Sequence, residues 1–268
     1  MSADSNLGQS LTSPKEFAGE DEDLRDDRSR MSFLEHLDEL RRRIIYSLYA
    51  LIGCCLVTFW YWDNLYRYFV TYFQKNGGQL IFTQPMSGFM FSLKISGLAG
   101  LIIASPFLFT QVWLFVAPGL YAKEKKLAVP FVMVSSILFG AGAWFAHFIA
   151  FPMMWKFFAS YELYGVKWLP TLDDTLSFYV KLILGAGAAF QMPLLVFVLA
   201  RFGLVTAGFL ARKFKWAILI IFIVAALITP TPDVFSQCVF AAPMLALYAV
   251  SIVVAWMFGK KKKTEDED

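Results

Sequence analysis

Charge is scarce in this sequence: Asp, Glu, Lys and Arg make up 17% of its 268 residues, against about 25% in an ordinary soluble domain. Cysteine and histidine are scarcer, with three and two residues. Cys54, Cys55 and Cys238 all lie in apolar stretches. An odd number leaves one unpaired, and neighbours in a helix do not readily bridge, so no disulfide framework is expected. Two histidines and scattered cysteines offer no zinc spacing, so no metal is expected. There is no P-loop, dinucleotide fingerprint, hydrolase elbow or metalloprotease motif. No cofactor is expected, and the chain reads as a binding scaffold rather than an enzyme, with no nucleic-acid partner. The first 30 residues lack an apolar run before a small-residue cleavage site, so a cleaved leader is not expected. No inverted pair of broken helices appears, which argues against the competing reading, a small-solute secondary transporter. That reading also requires ionisable groups at mid-span, where the sequence offers mainly Gln191 and His147.

Apolar residues are abundant. The chain is 58% hydrophobic and 18% aromatic, with a mean hydropathy of +0.56. Roughly 20 apolar residues are needed to cross about 30 Å of hydrocarbon as a helix. Six stretches fit: 44–62, 95–117, 127–155, 182–200, 216–229 and 234–258. Pro230, Thr231, Pro232 and Asp233 separate the last two, which predicts a tight hairpin. The fifth, at about 14 residues, gives only about 21 Å of helix. Trp60 and Trp62, and Trp155 and Trp168, mark one interface. Lys and Arg cluster at one set of span ends, at 41–43, 123–126, 201–215 and 260–263. That side carries roughly 14 positive residues against roughly six on the other, so it is cytoplasmic. The expected fold is an all-α membrane protein with six transmembrane helices, both termini in the cytoplasm, a short amphipathic N-terminal helix, and short fifth and sixth helices. Three regions are expected: a disordered acidic tail over 1–31, a membrane domain over 32–259, and a charged tail over 260–268.

Two cytoplasmic segments stand out. Ser32 and Glu35 form a capping box that starts a helix, with Phe33, Leu37, Leu40 and Ile44 on one face and Glu35, Glu39 and Arg43 on the wet one. Later, Pro118-Gly119 closes a helix, and Glu124 is the one acid among Lys123, Lys125 and Lys126.

The string His36-Leu37-Asp38-Glu39-Leu40-Arg41-Arg42-Arg43 resembles the HLxELRxR signature of the TatC family. Gln111-Val112-Trp113, Phe115, Ala117-Pro118, Leu120-Tyr121 and Glu124 resemble its QVWxFxxPxLYxxE signature. Thr231-Pro232-Asp233-Val234-Phe235-Ser236-Gln237 is similar to its TPPDxxSQ turn. The three occur in order, and the resemblance covers roughly residues 32–259. It implies the core receptor subunit of the twin-arginine translocase in the bacterial inner membrane. Such a subunit binds twin-arginine signal peptides of folded preproteins, drives export with the proton-motive force, and works in a hetero-oligomer of several TatC copies with single-span TatA and TatB.

The signal-peptide site so implied is Glu39 with Glu124, surrounded by Arg41, Phe115, Pro118 and Tyr121. Guanidinium is planar and pairs bidentately with carboxylate, which lysine cannot copy. The plainer alternative pairs Glu39 with Arg43 at i,i+4 and sets Glu124 against its lysines. Residues 41–43 also act as topology determinants and meet anionic membrane lipids.

Inside the membrane, Gln191 needs a partner, such as the carbonyl near Ala189 that Pro193 frees as it kinks span four. The TatC pattern usually has glutamate here. Thr229, Thr231, Asp233, Ser236 and Gln237 form a polar cluster at the hairpin's outer end. Asp233 is suited to cap the last helix, and the resemblance implies that the cluster docks a partner's transmembrane helix. Gly140, Gly142, Gly185 and Gly187 are expected at close-packed or bent points.

Overall fold

The structure is a computed structural model. It describes residues 14–75, 80–116, 128–160, 168–229 and 233–258, with side chains from Glu35 onward except at 116 and 128. The chain divides into two compact units, Met1–Tyr46 and Ser47–Asp268.

Helix α1 runs Pro14–Trp60. It begins at a proline, whose missing N–H costs nothing in a first helical turn. Ser32 and Glu35 lie inside it, so the expected start at Ser32 is corrected. A capping serine needs a non-helical backbone, and the helical residues before it deny it one. Residues 14–31, expected as a disordered tail, are helical in backbone, and the amphipathic segment after them is not a separate element.

The second unit is an all-α bundle. After the C-terminal part of α1 come α2 (Trp62–Lys75), α3 (Ser87–Val116), α4 (Ala128–Phe145), a π turn (Ala146–Ala150) and α5 (Phe151–Ala159). Then follow α6 (Leu172–Ala189), α7 (Met192–Arg201), α8 (Ala207–Arg212), α9 (Phe214–Ile228) and α10 (Val234–Phe258). Five described helical runs are long and apolar enough to cross a membrane: Glu35–Trp60, Ser87–Phe115, Val129–Ala159, Leu172–Arg201 and Val234–Phe258. Helix α9 is the short fifth span, 15 residues long. The sixth is not short: α10 has 25 residues and continues through Pro243 to Phe258.

Spans three and four are interrupted for the same reason. Pro152 and Pro193 each sit in the first turn of a new helix, α5 and α7. Neither can donate to the carbonyl four residues back, and each ring crowds that carbonyl. Span three widens instead: the Phe151 N–H bonds Ala146 O, five residues back. Span four breaks at Phe190 and Gln191, as the proline predicts.

Glycines allow two close approaches. A Cβ on Gly142 would lie 2.6 Å from Ala186 O, bringing α4 against α6 backbone to backbone. One on Gly100 would lie 2.8 Å from Cys55 Cα, which sets α3 against α1. There Thr58 Oγ1 lies 2.8 Å from Ser96 O and 2.9 Å from Cys54 O in its own helix; its single proton serves one at a time. Gly140 meets nothing within 4 Å.

Helix α2 was not foreseen. It buries Phe69 and Phe73 in an aromatic core with Phe91, Phe151, Trp155 and Tyr179. The Phe73 and Trp155 rings meet edge-on at 4.6 Å. Nearby, Ile81 pairs with Thr171 through Ile81 N–H to Pro170 O and Leu172 N–H to Ile81 O. Lys94 of α3 donates to Asp173 at 2.6 Å and to Ser177 at 2.9 Å, tying α3 to the first turns of α6. That helix is capped by Thr171, whose hydroxyl accepts the Asp174 N–H. The outside of the bundle is apolar: Leu56, Leu227 and Trp256 are exposed. Water would disfavour such a belt, and lipid solvates it.

Candidate functional site

In the first unit, helical spacing places Glu35, Glu39 and Arg43 one turn apart. Arg43 Nη2 donates to Glu39 Oε1 at 3.1 Å, and both side chains are partly shielded, at 24% and 30% exposure. Glu39 thus has the i,i+4 partner of the plainer alternative. The same segment borders a cavity of about 590 Å³, lined among the described residues by Glu35, Asp38, Glu39, Ile45, Tyr46 and the arginines 41–43. Two predicted site residues, Glu39 and Arg41, therefore line one cavity. Phe115 lies in the last turn of α3, half-buried. Pro118, Tyr121 and Glu124 lie outside the described residues.

At the α9–α10 hairpin, Asp233 Oδ1 accepts the Ser236 N–H at 2.7 Å and caps α10. Thr229 is buried, and its hydroxyl donates back to Ala225 O at 3.0 Å. Ser236 is fully buried. These two side chains face the bundle, because the helix that seats Asp233 at its cap turns Ser236 inward and the end of α9 packs on α6. Gln237 is half-buried, while Val234 and Phe235 on the same turn are exposed. Thr231 lies outside the described residues.

Gln191 Nε2 donates to Ser135 O of α4 at 2.9 Å. The partner is across the bundle, not the carbonyl near Ala189. The break at Phe190 and Gln191 turns the amide out of its own helix and toward α4.

One polar cluster escaped the sequence reading. His147, in the π turn, lies 2.9 Å by Nε2 from the Tyr68 hydroxyl and 2.8 Å by Nδ1 from that of Tyr179. Tyr72 donates to His147 O at 2.6 Å. A neutral imidazole has one donor and one acceptor nitrogen, so one tyrosine donates to it and the other accepts. The wide turn frees a carbonyl, and Tyr72 takes it up. Burial, aided by the nearby Tyr68 phenol, pushes Tyr72 up to about 12, so it holds its proton across the physiological range. The tyrosines at 68 and 72, four apart in an aromatic-rich segment, were the available clue. Among the described residues no group of His, Cys, Asp or Glu is placed to hold a metal.

Comparison with known proteins converges. The family model for the Sec-independent protein translocase protein (TatC) matches residues 35–243. The TatC protein of Koribacter versatilis is 39% identical over 239 residues, covering 87% of this chain and 88% of its own. That of Helicobacter pylori strain J99 is 40% identical over 235 residues, covering 87% and 92%. A crystal structure of the twin-arginine translocase receptor TatC superposes with a TM-score of 0.74 at 34% identity, covering 82% of this chain and 97% of that one. A six-span helical bundle with the family's motifs in order, matched over most of its length, belongs to the TatC family of Sec-independent protein translocase components.

Proposed function

We propose that this chain is the receptor and core subunit of a twin-arginine translocase in the bacterial inner membrane, and that it binds twin-arginine signal peptides at its cytoplasmic face. The observation that carries the reading is the joint placement of Glu39 and Arg41 on one charged cavity of α1, in a chain of this family. Glu39 and Glu124 each take one guanidinium, and Arg41, Phe115, Pro118 and Tyr121 shape the surface around them. Arg43 is the resting partner of Glu39. An arriving arginine competes with it, and a planar fork does so better than an ammonium.

TatA and TatB are the proposed single-span partners, in a hetero-oligomer holding several copies of this chain, with the proton-motive force as the energy source. A partner helix docks at the hairpin against Gln237 and the exposed Val234 and Phe235, over a base built by Thr229, Asp233 and Ser236, and Thr231 is assigned to the same site by the family resemblance. The test is a peptide-binding titration. A signal peptide with Arg-Arg should bind at least about tenfold more tightly than its Lys-Lys variant, and Glu39→Ala or Glu124→Ala should each lose about as much. Equal binding of both peptides, or normal binding by both variants, defeats the reading.

A further inference from the structure

Helix α2 carries a second charged groove, far along the chain from Glu39. A cavity of about 390 Å³ is lined, among the described residues, by Arg67, Tyr68, Thr71, Tyr72 and Lys75. Arg67, Thr71 and Lys75 stand at i, i+4 and i+8, so they follow one helix face, each about 6 Å further along the axis. Arg67 and Lys75 thus flank Thr71, one helical turn before it and one after. No carboxylate is among these lining residues. Among the described residues, Arg67 pairs with Asp63 at 3.0 Å, and that pair is exposed on both sides, at 75% and 53%. Such a pair contributes little and yields readily to a stronger anion.

The wall of the groove is held rigid. The Tyr68 and Tyr72 rings are stacked at 6.4 Å and 16°, and their hydroxyls are engaged by the ring and the carbonyl of His147. They therefore present fixed aromatic surface beside the cations. Only Tyr61 separates α2 from the end of α1. The groove thus follows the end of the first span closely along the chain, in a segment whose tyrosines and cations are of the kind enriched at membrane interfaces.

We propose that this groove binds the phosphodiester headgroup of an anionic phospholipid, in the leaflet opposite the chain termini. Arg67 and Lys75 clamp the phosphate, the Thr71 hydroxyl donates to it, and the tyrosine wall packs on the glycerol backbone. Free phosphate shares the first two contacts but not the third, and it has no reason to reside at the bilayer boundary.

The experiment uses the full chain in nanodiscs doped with phosphatidylglycerol that carries a photoreactive headgroup, with adducts mapped by peptide mass spectrometry. Adducts are expected within residues 67–75, and they should fall by about tenfold in the R67Q/K75Q double variant. Adducts near residues 41–43 should stay unchanged and report intact folding. Unaltered labelling of α2 in the double variant overturns the proposal. Equal labelling by a phosphatidylcholine probe overturns the anionic preference. Loss of α2 labelling on adding millimolar inorganic phosphate, at constant ionic strength, assigns the groove to the free ion and overturns the lipid.

Discussion

At His147 three tyrosines from two helices converge on one residue, and both ring nitrogens are occupied. His147→Ala strands Tyr179, which is buried, and should cost roughly 1–3 kcal/mol, read as a lower thermal midpoint in detergent. Tyr68→Phe should cost less, because it keeps the ring and leaves only one His147 nitrogen without its partner. Gln191 gives an opposite kind of test. It donates to Ser135 O, which an ionised carboxylate cannot do. Gln191→Glu, the residue the family pattern favours, should destabilise this chain at neutral pH, while Gln191→Leu should cost only about 0.6 kcal/mol. Parallel denaturation curves decide between them; a glutamate variant as stable as the parent removes that hydrogen bond from the account.

At the scale of elements, the glycines divide by what a methyl group would strike. Gly142→Ala drives a Cβ to within 2.6 Å of a backbone oxygen on α6, and a packed helix has no easy way to retreat. A loss of about 1–3 kcal/mol is expected. Gly140→Ala, two residues away and facing open space, should be neutral or gain about 1 kcal/mol from helix propensity. The sequence led to the expectation that both sit at close-packed or bent points and could not say which faced a neighbour. Apolar length made the six spans legible, and prolines marked the break in span four. Helix α2 was not legible, because half its residues are polar and it reads as a loop when only long apolar runs are sought. Pro152 was visible, but nothing local says whether a proline will kink a helix or widen it. In the N-terminal unit, the motif singled out Glu39, and the structure adds that it lines a charged cavity. Its ion pair with Arg43 needed only helical spacing. Helix α9, about 22 Å long against about 30 Å of hydrocarbon, leaves a mismatch. If local thinning of the bilayer assists transport, inserting one helical turn in α9 should reduce export of a reporter protein without preventing insertion.

For the whole molecule, the asymmetry of Lys and Arg fixes which end faces the cytoplasm. In a variant lacking the native cysteines, a cysteine at Gln74 should react with a membrane-impermeant maleimide added outside the cell. One at Lys215 should react only after the membrane is opened. The reverse pattern would invert the topology and move Glu39 away from any cytoplasmic ligand. Lys94 and Asp173 join α3 to α6 near the outer end; each is partly exposed, so Lys94→Met should leave topology intact and lower stability only modestly.

The wide turn at Ala146–Ala150 acts as a phase shifter. One residue added to an α-helical register rotates everything after it by about 100°. Phe151, Met154 and Trp155 are buried on a face that the periodicity of α4, continued without the extra residue, would have aimed elsewhere. Removing any single residue from this stretch should therefore act less like a local cavity than like turning a key: the whole of α5 would swing its aromatic teeth out of the lock formed by α2 and α6.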